Sequence, residues 1–307
     1  MSRTIKDYVI ISLKGMAMGA ADVVPGVSGG TIAFISGIYE ELLSSISSFN
    51  FGLIKILRTE GIKSVWEKVN GNFLAALFLG IAISILSLVK IINWLLENEP
   101  VLLWSFFFGL VLASILYIGK QVERWNFSTI VLGILGVAFG YAITIMPSTS
   151  GQESNLIFLF LAGALASCAM ILPGISGSYI LLLIGVYAKV TEAIEDVDLV
   201  VISIFAAGVI SGLLAFSKVL KWLFSKYKSH MLAVLCGIMF GSVNKIWPWK
   251  ETVSTYVDRH GEVKPLLEKS IGPNAYDGDP QLMLAIVLSI VGFGLILLLE
   301  KLAAKKE

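Results

Sequence analysis

The sequence predicts an all-α polytopic membrane protein made of two inverted-topology repeats. Six transmembrane helices are expected, with two re-entrant helical hairpins meeting near the bilayer midplane. Three observations predict this. Apolar runs recur along nearly the whole chain, which is 56% hydrophobic and only 15% charged, against roughly a quarter charged in soluble domains. Two of the apolar stretches are split by the same Pro-Gly-x-Ser-Gly pattern. The chain also repeats itself across an odd number of spans, which turns the second copy upside down.

The first element is the stretch 8–46, broken at Pro25-Gly26-Val27-Ser28-Gly29. As one helix it is far too long to cross ~30 Å of hydrocarbon. As two arms of about 15–17 residues, each falls a little short of a full span. A re-entrant hairpin satisfies both lengths, provided protein or a water-filled cavity covers its irregular turn. Two tilted spans would return to the same side. Residues 51–70 follow, where Leu53, Ile54, Leu57, Val65, Trp66 and Val69 alternate with Lys55, Arg58, Lys63, Glu67 and Lys68. That pattern suits a helix lying on the membrane surface; an ordinary polar loop is the plain alternative. Spans at 73–96, 101–119 and 128–146 complete repeat 1 (5–146).

Repeat 2 (155–303) opens with the stretch 155–194, broken at Pro173-Gly174-Ile175-Ser176-Gly177, and continues with spans at 199–217, 231–247 and 282–299. Residues 248–280 form a polar extracytoplasmic loop, too short for a domain of its own without staples. The whole chain, 1–307, reads as one integral membrane domain. Its charged start leads into apolar residues as a signal peptide does, but Asp22 and Pro25 stand where a cleavage site is wanted, so the segment is expected to be retained.

Gly15 to Ile46 aligns with Gly163 to Ile194 without a gap, pairing Ile32, Gly37, Tyr39 and Ile46 with Ile180, Gly185, Tyr187 and Ile194. Downstream, Gly80, Lys90, Trp94-Leu95, Gly109 and Ser114 align with Gly208, Lys218, Trp222-Leu223, Gly237 and Ser242. Basic clusters at 3–14, 55–68, 120–124, 218–228 and 301–306 fall on one side of this topology. The acidic or neutral connections at 97–99, 148–155, 192–198 and 251–279 fall on the other. The positive-inside rule then puts both termini in the cytoplasm.

At each tip a helix stops at Pro-Gly and another starts after Ser-Gly. Glycine permits the sharp turn and a close ligand approach. The new helix presents unpaired N–H groups at its positive dipole end, which suits an anion and above all a phosphate. The candidate phosphate-binding residues are Gly26, Val27, Ser28, Gly29, Gly30 and Thr31 at the first tip. At the second they are Gly174, Ile175, Ser176, Gly177, Ser178 and Tyr179. The plain alternative is close packing of small residues. Asp22 lies at membrane depth where the second copy has Met170; it is a candidate for proton coupling, or else a carboxylate bonded to the tip backbone. Glu40 and Glu41 suit an interfacial role. Lys90 and Lys218 are candidates for recruiting lipid phosphates, or snorkelling anchors beside Trp94 and Trp222.

Net charge is +1, which leaves no nucleic-acid footprint. Cys168 and Cys236 sit in apolar segments and offer neither a disulfide framework nor metal spacing. No metal or cofactor is expected.

The run Lys14-Gly15-Met16-Ala17-Met18-Gly19-Ala20-Ala21-Asp22-Val23-Val24-Pro25-Gly26-Val27-Ser28-Gly29-Gly30-Thr31 closely resembles the bacterial polyprenyl-phosphate transporter family, and Leu172 to Ser178 fits it too. The resemblance covers nearly the full length. It implies a flippase of the cytoplasmic (inner) membrane that returns undecaprenyl phosphate from the outer to the cytoplasmic leaflet, recycling the carrier of peptidoglycan and other envelope polymers. The two tips and Asp22 carry over; Ser178-Tyr179, standing where the first copy has Gly30-Thr31, is the weakest correspondence.

A looser resemblance, to undecaprenyl-pyrophosphate phosphatases, rests on a Pro-Gly-x-Ser-Arg-Ser-Gly motif. Here the arginine position is Gly29 or Gly177, and the histidines, His230 and His260, fall at an interface and in the outer loop. Hydrolysis needs a nucleophile or base and a cation for the leaving phosphate, so the chain reads as a carrier rather than an enzyme. A small-anion channel is the remaining alternative.

Overall fold

A computed structural model describes residues 3–24, 27–146, 155–257 and 263–304. The chain is mostly helical. The first split stretch forms α1 (Ile5–Val23), α2 (Gly29–Ile35) and α3 (Tyr39–Ser47). Next come α4 (Gly52–Glu60) and α5 (Ile62–Lys68), then the long helices α6 (Gly71–Asn98), α7 (Pro100–Lys120) and α8 (Phe127–Ile145). The second split stretch gives α9 (Leu156–Ile171), α10 (Gly177–Leu183) and α11 (Tyr187–Glu195), followed by α12 (Leu199–Ser242). A strand pair, β1 (Lys250–Val257) and β2 (Val263–Ser270), precedes α13 (Leu282–Ala304).

Helices α6, α7, α8 and the helical stretch Leu199–Ile246 are each long and apolar enough to cross a membrane. Their outward faces carry large apolar side chains such as Leu86, Ile134 and Ile210. Water would penalise such surfaces and lipid does not. The chain is a multi-pass membrane protein. The 44 residues of α12 would extend roughly 66 Å as one rod, about twice a hydrocarbon core. Tyr227 breaks it with non-helical angles (φ −135°, ψ 44°), inside the basic connection between the expected spans 199–217 and 231–247.

Three expectations change. The second arm of each split stretch is two short helices rather than one. Gly37 (φ +73°) separates α2 from α3, and Gly185 (φ +74°) separates α10 from α11, which bend by 112°. A Cβ disfavours such angles. The expected surface helix 51–70 is likewise broken, at Gly61 (φ +85°). The polar insertion, expected as a loop, carries a strand pair, with β1 and β2 antiparallel and Lys250 opposite Ser270. This β-hairpin is tied to the helices near it. Trp247 Nε1 donates to the Ile271 carbonyl (2.8 Å), Trp249 Nε1 to the Pro280 carbonyl (2.9 Å) and Ser270 Oγ to Asn244 Oδ1 (2.7 Å).

Repeat-aligned positions pack alike. A Cβ on Gly80 would collide with the Ser12 carbonyl, and one on its counterpart Gly208 with the Phe160 carbonyl. Continuing the ungapped alignment upstream pairs Ser12 with Phe160. Backbones approach this closely only across small residues. At the end of the bundle where α1 begins, Arg3 pairs with Glu41 (2.6 Å) and Lys228 with Glu40 (2.6 Å). Both glutamates are thus held in ion pairs with basic residues.

Candidate functional site

The two broken stretches meet at their tips. The Gly174 N–H donates to Thr31 Oγ1 at 3.1 Å, and Ser28 Oγ donates to the Met170 carbonyl at 3.1 Å. Val27, Ser28, Gly29, Gly30 and Thr31 are buried, as are Ile175, Ser176, Gly177 and Tyr179; Gly174 and Ser178 are half-buried. Gly26 lies outside the described residues. The tips therefore form one contiguous polar seam inside an apolar bundle, and this juxtaposition arises from segments that are remote in the chain.

Within the seam the two halves differ. At tip one the helix start is closed from inside. Asp22 Oδ1 accepts from the Gly29 N–H at 2.6 Å, Ser28 Oγ accepts from Gly30 at 3.1 Å, and the Ser28 carbonyl accepts from Thr31 at 2.9 Å. A carboxylate at an N-terminus also complements the helix dipole. At tip two no side chain caps α10, and Ser176 and Ser178 hydrogen-bond each other (2.8 Å). The sharp turn is made by Gly174 at φ +88°, against Met239 and Ser242, which leave no space for a Cβ.

Tip two borders a cavity of about 10 Å³, room for about one water, lined by Gly140, Ile143, Thr144, Gly174, Ile175, Ser176, Tyr179, Ser242 and Lys245. Lys245 Nζ stands 4.6 Å from the centre of the Tyr179 ring, within cation–π range. The Tyr179 hydroxyl is within reach to donate to the carbonyls of Ile143 (3.4 Å) and Thr144 (3.3 Å). Lys245 also pairs with Glu268 of β2 (3.5 Å), and Glu268 stands 3.7 Å from Lys250 of β1. The Lys250 side chain is only 8% exposed and lies 3.5 Å from the centre of the Trp104 ring, with no hydrogen-bond partner. Burial draws its pKa down to about 7; Glu268 opposes this and Lys245 adds to it.

The site thus gathers hydroxyls, a glycine turn and a cation, which can hold an anion. Lys245, Lys250 and Glu268 are absent from the residues expected to bind. Lys245 sits at the end of an apolar run that reads as a span, so an intramembrane cation was the available signal. The other expected lysines are elsewhere: Lys90 on α6 and Lys218 on α12 are exposed and line no part of the cavity. Among the described residues, no group of three or more His, Cys, Asp or Glu is placed to hold a metal ion.

The undecaprenyl phosphate translocase-like family model matches residues 18–264. A polyprenyl-phosphate transporter of Vibrio cholerae is 47% identical, covering 99% of this chain and all of the relative. One of Staphylococcus aureus is 33% identical over 77% of this chain and 85% of its own length. No solved structure matches. With the match spanning both tips and most of the chain, the protein belongs to the undecaprenyl phosphate translocase-like family.

Proposed function

We propose that the protein is a flippase that carries undecaprenyl phosphate from the outer to the cytoplasmic leaflet of the bacterial inner membrane, with both termini cytoplasmic. The observation that carries this reading is the contact between the two tips, Gly174 N–H to Thr31 Oγ1, beside a lysine-bearing cavity. A phosphate headgroup docks in that seam while its polyprenyl tail stays among the lipids. The two halves act as inverted repeats with six spans and two re-entrant hairpins, and rocking of one against the other opens the seam to each side in turn. Repeat-matched packing at Gly80 and Gly208 supports two equivalent bodies. The 10 Å³ cavity is far smaller than a phosphate, so the headgroup enters only when the halves move. Asp22 is the candidate for coupling to an ion gradient, and its bond to Gly29 ties any change in its charge to the α2 start.

The transport reading is tested with purified protein in proteoliposomes carrying undecaprenyl phosphate, following its loss from the outer surface. Clearance above that of protein-free vesicles is expected. Release of inorganic phosphate from undecaprenyl pyrophosphate would replace the carrier with an enzyme. Conductance in planar bilayers lacking lipid phosphate would replace it with a channel.

A further inference from the structure

The lysine that borders the cavity belongs to a larger charged cluster. Lys245, Glu268 and Lys250 come from the end of the α12 segment and from both strands of the β-hairpin. One carboxylate oxygen, Glu268 Oε2, lies between two ammonium groups, 3.5 Å from Lys245 and 3.7 Å from Lys250. The three side chains are 16%, 24% and 8% exposed in the order Lys245, Glu268, Lys250. Lysines this buried are held by opposite charge, and removing that charge without replacement is costly. The cluster borders the tip: Lys245 lines the cavity with Ser176 and Tyr179, and its other face meets Glu268. A phosphomonoester presents the same kind of oxyanion as a carboxylate, with more charge and more acceptor atoms.

We propose that Lys245 is the cation that takes the lipid phosphate at tip two, and that Glu268 is the built-in anion this phosphate displaces. With no phosphate present, Glu268 neutralises Lys245. An arriving headgroup exchanges for Glu268 on Lys245, and Lys250 keeps Glu268 from being left unpaired. Lys245 is thereby never stripped of an anion in a site largely closed to water. The aligned position in the first copy, one turn after Ser114, is Tyr117, and tip one has Asp22 at its helix start. Only the second half therefore carries this exchange.

This inference rests on the transport reading, and its test separates the two. Full-length protein in phosphatidylcholine nanodiscs is titrated with undecaprenyl phosphate, following the fluorescence of the tryptophans around the cluster, Trp104, Trp247 and Trp249. Glu268→Gln is expected to tighten binding about tenfold, and Lys245→Gln to weaken it about tenfold or more. Lys245→Arg should restore binding, which a merely structural role for the lysine would not require. In the Lys245→Gln/Glu268→Gln double variant the gain from Glu268→Gln should vanish. Wild-type affinity in either single variant overturns the exchange while leaving transport standing. An equal response of Glu268→Gln to inorganic phosphate alone assigns the site to the free anion and overturns the lipid role of Lys245. No binding by the wild-type protein overturns both readings.

Discussion

Tip one carries its own carboxyl group, Asp22, whereas tip two meets a lysine on a neighbouring element. Both follow the same Pro-Gly-x-Ser-Gly pattern, both are buried, and the two touch through Thr31 and Gly174. Yet Asp22 closes the start of α2, its counterpart Met170 offers no charge to α10, and Lys245 stands where the aligned residue of the first copy is Tyr117. The Pro-Gly-x-Ser-Gly pattern is the same at both tips while the charged groups beside it differ. A phosphate approaching tip one meets a carboxylate and N–H groups already bonded; at tip two it meets an uncapped helix start, hydroxyls and an ammonium. The two tips share a sequence pattern and differ in chemistry.

Tip two is most sensitive at its glycine turn. Gly174→Ala must place a Cβ at φ +88°, 2.9 Å from Met239 Cα. The left-handed conformation costs about 1–2 kcal/mol and overpacking about 1–3 kcal/mol more. A large fall in thermal unfolding temperature in detergent is expected, and an unchanged one would mean that tip two is not held against α12.

Tip one answers to a different substitution. Asp22→Leu leaves the Gly29 N–H buried without its acceptor, at a cost of about 1–3 kcal/mol. Asp22→Asn keeps an oxygen that can accept the same bond, so its thermal stability should stay near wild type. If Asp22 only caps α2, the Asn variant transports normally. If it couples transport to a proton gradient, the Asn variant is stable and loses the dependence on that gradient. Met170→Ala at the aligned position in tip two should be close to silent by the same melting measurement.

A smaller effect is expected where the tips join. Thr31→Val preserves shape and removes the oxygen that accepts from Gly174. A loss of about 1 kcal/mol is expected, with hydrogen exchange at the Gly174 amide accelerating. Slow exchange in the variant would show that another group holds the seam closed.

What was legible in the chain follows the same division. The two tips, their alignment and the helices around them are written in local pattern, because a Pro-Gly turn in an apolar run allows few structures. The aligned Gly37 and Gly185 were visible as matches, but their positive φ was not, since a glycine in an apolar run equally marks close packing. The β-hairpin was missed because 250–270 is polar and mixed in charge, and its pairing depends on anchors at Trp247, Trp249 and Ser270. Lys245 was missed for a related reason. Its meaning lies in Tyr179 and Glu268, which only the folded chain brings to it.

The charged cluster beside tip two responds to pH through Lys250. Lys250 has its pKa drawn from the ordinary 10.5 down to about 7, chiefly by burial. The groups facing it are Glu268 on β2, Lys245 beyond that carboxylate, and the Trp104 ring on α7. A lowered lysine pKa means that the folded chain releases a proton that the unfolded chain keeps between about 10.5 and 7. Its contribution to stability is thus greatest above the ordinary value and is lost as pH falls towards about 7. Ligand binding runs the other way. Below about 7 the cluster holds two cations against one carboxylate, and above it Glu268 has only Lys245 to pair with. Undecaprenyl phosphate should therefore bind tighter on the acid side, by on the order of 1 kcal/mol, about fivefold in Kd. The lipid's own second ionisation near pH 6 favours binding as pH rises, but it is common to every variant. The difference between wild-type and Lys250→Met titrations isolates the lysine: the wild-type profile should fall with rising pH relative to a variant in which Glu268 always belongs to Lys245. Parallel profiles would mean that Lys250 keeps one charge state throughout and that tip two owes its cation to Lys245 alone.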